Sequence, residues 1–317
     1  MPSTCSVTVL MTVFNGGPFL EVAIDSILAQ TYQDFRFLIV DDCSTDNTRE
    51  IIRSYQDDRI DILCLKQNMG QTASLNVGLK NAKTQWIARM DADDFSAPTR
   101  LEEQMRRLES DPSISCLGTY VWTFSDTPSK ADTEITPPLT HEDIKRFLLH
   151  DSPMVHGSII MDRQAVLDVG GYNDHYRISA DVDLYDRLLV DHLAANLPIK
   201  LLGIRRHAGQ ISREPIAFDE NINIARVRLS SSIYSPQELA TVRRALARCY
   251  IARGFHFASQ RDFAGFARDS LTALHDSPKT FPWQWSLELL RTALPQRKRA
   301  RLGAFLSRAA SRLGTRH

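Results

Sequence analysis

Residues 7–42 read VTVLMTVFNGGPFLEVAIDSILAQTYQDFRFLIVDD, and this stretch decides the fold. Residues 7–14 are almost wholly apolar and rich in β-branched side chains, as in a strand covered on both faces. Asn15, Gly16 and Gly17 break the run. Pro18 suits a first helical position, and Leu20, Ile24, Ile27 and Leu28 then recur at helical spacing. A second apolar run, 35–40, ends at Asp41-Asp42. Further along, the pattern predicts a helix over 46–55 capped by Ser44 or Thr45, a strand over 60–65, a helix over 72–83 and a strand over 85–90. This alternation predicts an α/β protein: a mostly parallel central sheet flanked by helices. Ligands of such sheets bind beyond the carboxyl ends of the strands. Thr12 to Asn15, Asp41-Asp42 and Asp91 to Asp94 all fall at such ends.

The middle of the chain is less regular. It reads as a helix over 98–109, a strand over 113–124 and a mobile loop over 125–138, rich in Ser, Thr, Asp and Pro. A helix over 141–149, a strand over 158–161, a helix over 181–192 and a strand over 199–207 follow. From residue 219 the pattern is helical, with 242–273 as a hairpin. Two domains are expected, an α/β domain over 1–215 and a helical region over 216–317.

Residues 86–94, WIARMDADD, carry the strongest chemical signal. Strand alternation would point Asp91 and Asp93 the same way. Like charges so placed repel, and a hard cation such as Mg²⁺ or Mn²⁺ reverses that sign while accepting phosphate oxygens. The plain alternative is a solvated acidic turn capping the next helix, but Asp91, Asp93 and Asp94 together exceed what a cap needs. At the neighbouring strand end, Asp42 is acceptor-only and selects N–H or O–H groups, as on a nucleobase or ribose. Thr12 offers a hydroxyl, and Phe14 a face for a base to pack on.

These motifs combine into a resemblance. VLMTVFNGGPFLEVAIDSILAQTYQDFRFLIVDDCSTDNT (9–48) and NMGQTASLNVGLKNAKTQWIARMDADDFSAPTRLEEQ (68–104) resemble the family 2 glycosyltransferases of the GT-A fold. The likeness spans residues 5 to 210 or so. It implies a nucleotide-diphosphate-sugar donor, a divalent metal (Mn²⁺ or Mg²⁺) and inversion at the anomeric carbon. By that resemblance Thr12, Phe14, Asn15 and Asp42 fall where the family binds the nucleoside. Asn68 and Arg89 fall in stretches that line the donor pocket, and Asp91, Asp93 and Asp94 on the metal motif. Asp181 falls where the family keeps the base that takes the acceptor's proton. Many members carry Glu-Asp there, and this chain has Ala180-Asp181, a departure. Asp183 is the rival base, or only first-turn charge on its helix. His156 lies in a stretch resembling the acceptor side. His207 lies in one that approaches metal and diphosphate, where the adjacent arginines could hold phosphate.

Composition bounds the remainder. Formal net charge is zero, but the segment from Arg291 onward holds eight positive residues and no acid, leaving the rest at −8. Leu302, Phe305, Leu306, Ala309 and Leu313 recur near helical spacing there, so 296–314 reads either as a solvated basic helix or as one that docks on anionic lipid. The five scattered cysteines contain no CxxC, which excludes a disulfide framework and a zinc site and suits a cytoplasmic protein. The start of the chain has no signal-peptide pattern, and no run approaches the ~20 apolar residues of a membrane span. Nucleic-acid binding is not expected from an acidic body without a matching motif. The expected function is transfer of a sugar to a glycan or lipid-linked acceptor in surface-polysaccharide synthesis. One alternative is a catalytically impaired, sugar-nucleotide-binding scaffold, which Ala180 keeps open. A nucleotidylyltransferase needs a basic Gly-rich loop after the first strand, and Asn15-Gly16-Gly17-Pro18-Phe19 has no base. A dinucleotide oxidoreductase needs GxGxxG, which is missing there.

Overall fold

A computed structural model describes residues 6–210 and 214–277. The chain divides into two compact units between residues 212 and 213.

The first unit is built on one sheet. Its opening strands are β1 (Val7–Val13), β2 (Phe35–Asp41), β3 (Ile60–Cys64) and β4 (Trp86–Asp91). All four are parallel, in the order β3-β2-β1-β4. Every residue of β1 is buried, as a central strand covered on both faces must be. One face packs on α1 (Gly17–Leu28): Val7, Val9, Met11 and Val13 share a core with Leu20, Ala23, Ile24 and Ile27. The other face packs on α3 (Gln71–Asn81), where Leu10 lies against Gly78. Because β1 leads outward to β2 on one side while β4 returns on the other, the strand order reverses between β1 and β4. A crevice opens beyond the carboxyl ends of the strands at such a point.

The rest of the sheet is mixed. Beyond β4 come β8 (Ile160–Asp162), β6 (Ile114–Phe124), β9 (Leu193–Arg205) and β5 (Phe95–Ser96), with β7 (Thr133–Ile135) paired to β6. β8 is antiparallel to β4 and β6, while β9 runs parallel to β6. Helices α2 (Thr48–Ser54), α4 (Arg100–Ser110), α5 (His141–Leu148), α6 (Arg163–Asp168) and α7 (Ala180–Leu188) complete the unit, with one 3-10 turn at His156–Ser158. The second unit contains α8 (Ile216–Ser230), α9 (Pro236–Ser259) and α10 (Phe263–Asp276). Ser235 caps α9 with a full capping box to Glu238, and Arg253 ties it to Asp269 at 2.7 Å.

Four local expectations change. Asn47, not Ser44 or Thr45, is the N-cap of α2, and the Ser44 hydroxyl instead accepts the Asn15 N–H at 3.0 Å. The stretch expected as a mobile loop contains β7, which the ladder of β6 recruits at Val121 to Thr123. The helix expected to reach 192 ends at Leu188, and β9 begins at Leu193, before Pro198. Proline is tolerated inside it because the register jumps there, from Thr119↔Leu197 to Tyr120↔Lys200, leaving Pro198 outside the ladder. The basic stretch 296–314 lies outside the described residues.

Candidate active site

The ends of β1 and β2 are latched together. Asn15 takes a left-handed φ of 53°, and its Oδ1 accepts the Thr45 N–H at 2.8 Å. Gly16 N–H donates to Thr48 Oγ1 at 2.9 Å, and Gly17 N–H to Asp46 Oδ2 at 3.2 Å. The ring of Phe14 stands 49 % exposed at this crest, open to a stacking partner. Asp42 is buried, and its two oxygens accept the Met69 and Gly70 N–H groups at 2.7 and 2.8 Å. The structure thus uses Asp42 first to hold the loop before α3. Asn68 is exposed in that loop. The Thr12 hydroxyl is sealed from solvent and has no partner among the described residues.

Thr12 pairs in register with Asp91, which places the acidic cluster at the reversal of strand order. The cluster is not built by strand alternation. β4 ends at Asp91, and Ala92-Asp93 form a turn that brings the carboxylates together. Their convergence shows at Gly157, where an added Cβ would lie 2.9 Å from Asp91 Oδ2 and 3.3 Å from Asp94 Oδ2. Each acid has a separate partner. Arg89 Nη2 donates to Asp91 Oδ1 at 2.6 Å, with Gln71 Nε2 at 3.3 Å from the same oxygen. His207 Nε2 lies 2.8 Å from Asp93 Oδ2, and the Arg205 N–H donates to Asp94 Oδ1 at 3.0 Å. Because Gly209 N–H donates to His207 Nδ1, the neutral ring carries its proton on Nε2 and donates it to Asp93.

These partners set unequal charges. Burial pushes the Asp91 carboxyl up, but the neighbouring basic groups, Arg89 foremost, together outweigh it and hold the group below its ordinary value. Burial raises Asp93, and the Asp91 charge adds to the rise. Asp94 is pushed well above its ordinary value by burial and by both neighbouring acids. Arg100, wholly buried behind them, is lowered to about 9 by burial and by the nearby Arg89 charge. It holds the Arg89 carbonyl at 2.6 Å. Arg89 is itself fully buried, so in this arrangement it acts on Asp91 rather than at the surface of the pocket.

A second carboxylate faces the same interior. Asp181 stands in the first turn of α7, receives the Val182 N–H and lies 3.4 Å from Ser152 Oγ. Burial raises its pKa to about 6, and the Asp91 charge adds to the rise. His156 Nε2 lies 2.7 Å from the Tyr172 hydroxyl. Burial and the Arg89 charge lower its pKa to about 3, so the ring is neutral. Asp183 belongs elsewhere. Arg187 Nε and Nη2 both donate to its Oδ2, at 3.0 and 2.6 Å, a one-turn ion pair on α7. Arg205, expected to offer its charge to phosphate, is buried and donates to the Asp93 and Asp126 carbonyls. Gln71, Arg100, Gly157 and Tyr172 join the site without a motif that marks them. Of these, Gln71 and Arg100 fall within the stretch 68–104 that carries the resemblance.

The structure therefore gathers Arg89, Asp91, Asp93, Asp94, His156, Asp181 and His207, and engages Asp183 with Arg187 instead. Among the described residues no three His, Cys, Asp or Glu side chains converge as ligands of one cation, so the four expected ligands Asp91, Asp93, Asp94 and His207 are not assembled as a cage. The Asp93 carboxylate fits a cation held by few protein atoms and completed by phosphate and water, and His207 could join it through Nε2 only by giving up the Gly209 contact and moving its proton to Nδ1.

Comparison with known proteins shows to which class this α/β sheet, with its acidic crevice at the reversal point, belongs. The model of "Glycosyl transferase family 2" matches residues 8–170. EpsE of Bacillus subtilis (strain 168), assigned to the glycosyltransferases, is 31 % identical over 69 % of this chain and 79 % of its own length. The amylovoran biosynthesis glycosyltransferase AmsE of Erwinia amylovora is 26 % identical over 61 % of this chain and 73 % of its own. The chain belongs to glycosyl transferase family 2 and is a glycosyltransferase. Its fold resembles that of S. aureus TarS 1–349 in complex with UDP-GlcNAc, with TM-score 0.63, 16 % identity and coverage of 84 % and 81 % of the two chains. It also resembles the mannosyltransferase PcManGT of Pyrobaculum calidifontis in complex with GDP-Man and Mn²⁺, with TM-score 0.57, 18 % identity and coverage of 96 % and 86 %.

Proposed function

We propose that the chain transfers a sugar, with inversion, from a nucleotide-diphosphate-sugar to a hydroxyl of a glycan or lipid-linked acceptor in surface-polysaccharide synthesis. The observation that carries this reading is the pair of separated acidic groups, Asp91 to Asp94 at the strand ends and Asp181 on α7 with a pKa of about 6. In this reading Phe14 stacks on the base, and the Asn15 and Asp42 latches hold the loops that frame the nucleoside. Asp93 would hold a divalent cation, Mn²⁺ or Mg²⁺, with Asp91 and Asp94 beside it, and His207 would join once its proton moves to Nδ1. When bound, that cation neutralises charge on the departing diphosphate. Asp181 is ionised above pH 6 or so, which suits a base that accepts the acceptor's proton near neutrality. His156 and Tyr172, locked to each other, face the acceptor as neutral groups.

Residues 1–215 form the transferase domain in this reading, with 216–317 as a helical region whose basic stretch rests on the cytoplasmic face of the membrane. No described helix is long and apolar enough to cross one. The decisive experiment is donor hydrolysis and transfer with Mn²⁺ in Asp91→Ala and Asp93→Ala. Both activities should vanish, and undiminished activity would remove the donor site from this cluster.

A further inference from the structure

Phe19 stands in the first turn of α1, yet it is not part of the core that the rest of that helix packs into. Its ring touches two polar groups instead. The ring centroid is 4.6 Å from that of the His207 imidazole, and the Arg205 guanidinium lies 4.9 Å from it. The Phe124 ring packs on the same guanidinium at 4.6 Å. Cations favour aromatic faces, and tilted ring pairs are attractive at this spacing.

What Arg205 and His207 share is Asp93. Arg205 Nε donates to the Asp93 carbonyl at 3.1 Å, and His207 Nε2 to its carboxylate at 2.8 Å. Phe19 therefore contacts both groups that hold Asp93, one through its backbone and one through its side chain. It also lies two residues past the latched turn of Asn15 to Gly17, so it links the Phe14 crest to the acidic turn.

We propose that Phe19 is a positioning residue of the donor site, whose ring sets Arg205 and His207 so that Asp93 keeps one orientation toward the donor's diphosphate. The inference rests on reading the acidic turn as the diphosphate end of that site. Small displacements of a binding group cost far more than their size suggests. A side chain of similar bulk without a ring should therefore weaken metal-dependent binding while the fold survives.

The test uses the full chain and isothermal titration of UDP and of GDP with Mn²⁺. Phe19→Leu should weaken the nucleotide that binds by about tenfold with an unchanged melting temperature. Phe19→Tyr should restore binding. Phe19→Met, also bulky and without a ring, carries the test should Phe19→Leu misfold. Because part of the Phe19 effect runs through His207, Phe19→Leu combined with His207→Ala should cost less than the sum of the two single costs. In carbon-edited NMR the His207 Hε1 resonance should move in Phe19→Leu as the neighbouring ring current is lost. Wild-type affinity in Phe19→Leu, or costs that simply add, would overturn the proposal. If His207→Ala binds like the wild type, the donor-site reading fails and the role of Phe19 with it. The NMR shift then reports separately whether the ring contact itself exists.

Discussion

Asp181 and Asp183 stand two positions apart on α7 and meet opposite surroundings. Asp183 is spent on Arg187, whereas Asp181 has no cationic partner among the described residues and carries a pKa raised to about 6. Two consequences follow from that number. As base, Asp181 must be ionised, so kcat/KM should fall as pH drops through about 6. Asp181→Asn should keep donor affinity, lose about 10²- to 10⁴-fold in transfer and abolish the acidic limb. The same loss in Asp183→Asn would reassign the base. The stability effect has the reverse sign. A carboxyl whose folded pKa is raised binds its proton more tightly when folded, so its contribution to stability falls as pH rises from about 4 to about 6. Asp181→Asn should therefore melt at or above the wild type at pH 7, and a clear drop there would contradict a buried, desolvated carboxylate. Arg89 makes a different case. Its removal leaves Asp91 as a partly buried charge without its main partner, so Arg89→Met should lose about 3–5 kcal/mol in urea unfolding at neutral pH. A loss under about 1 kcal/mol would show that Asp91 does not depend on it. Asp91 and Asp181 were legible because each stands at an element end in an acidic motif. Tyr172 and Gly157 were not, since only long-range packing brings them to the cluster.

At the scale of elements, helix against sheet is set by one small residue. A Cβ on Gly78 of α3 would lie 2.3 Å from Leu10 Cδ1, on a strand with every residue buried. Gly78→Ala gains helix propensity of about 1 kcal/mol but forces α3 off β1, and overpacking costs about 1–3 kcal/mol. The variant should be net destabilised in denaturant unfolding, and a gain in stability would mean that Leu10 can rotate away freely. The strands and helices up to residue 91 were legible because apolar period and turn residues agree there. β7 and the early start of β9 were not. β7 is three exposed residues whose only claim to a strand is a neighbour, and β9 crosses Pro198 through a bulge that its partner β6 defines. Neither signal is local. The turn at Ala92-Asp93 was misread for the related reason that an acidic strand end and an acidic turn share one spelling.

At the scale of the whole molecule, charge is the organising quantity. Eight positive residues from Arg291 onward balance a body of −8. If that stretch meets anionic lipid, the full chain should sediment with phosphatidylglycerol vesicles at low salt, detach as salt rises, and ignore phosphatidylcholine vesicles. Salt-independent binding, or none, would leave the basic stretch without a membrane role. The two-unit division follows from a change of period in the sequence, from alternating strand and helix to helix alone.

The sheet that carries the crevice also has to end somewhere. At one side it ends in β3, where exposed Asp61 pairs with Arg36 and where Asp57 and Arg59 form an ion pair just before the strand. At the other β5 covers only Leu202 and Gly203 of β9, whose remaining edge is interrupted by Pro198, and β7 offers only three residues. Unpaired backbone on a long flat edge would invite a second chain to add a strand, and charge and brevity both discourage it. Charge on β3 and the proline in β9 thus act against strand addition at the two ends of so wide a sheet.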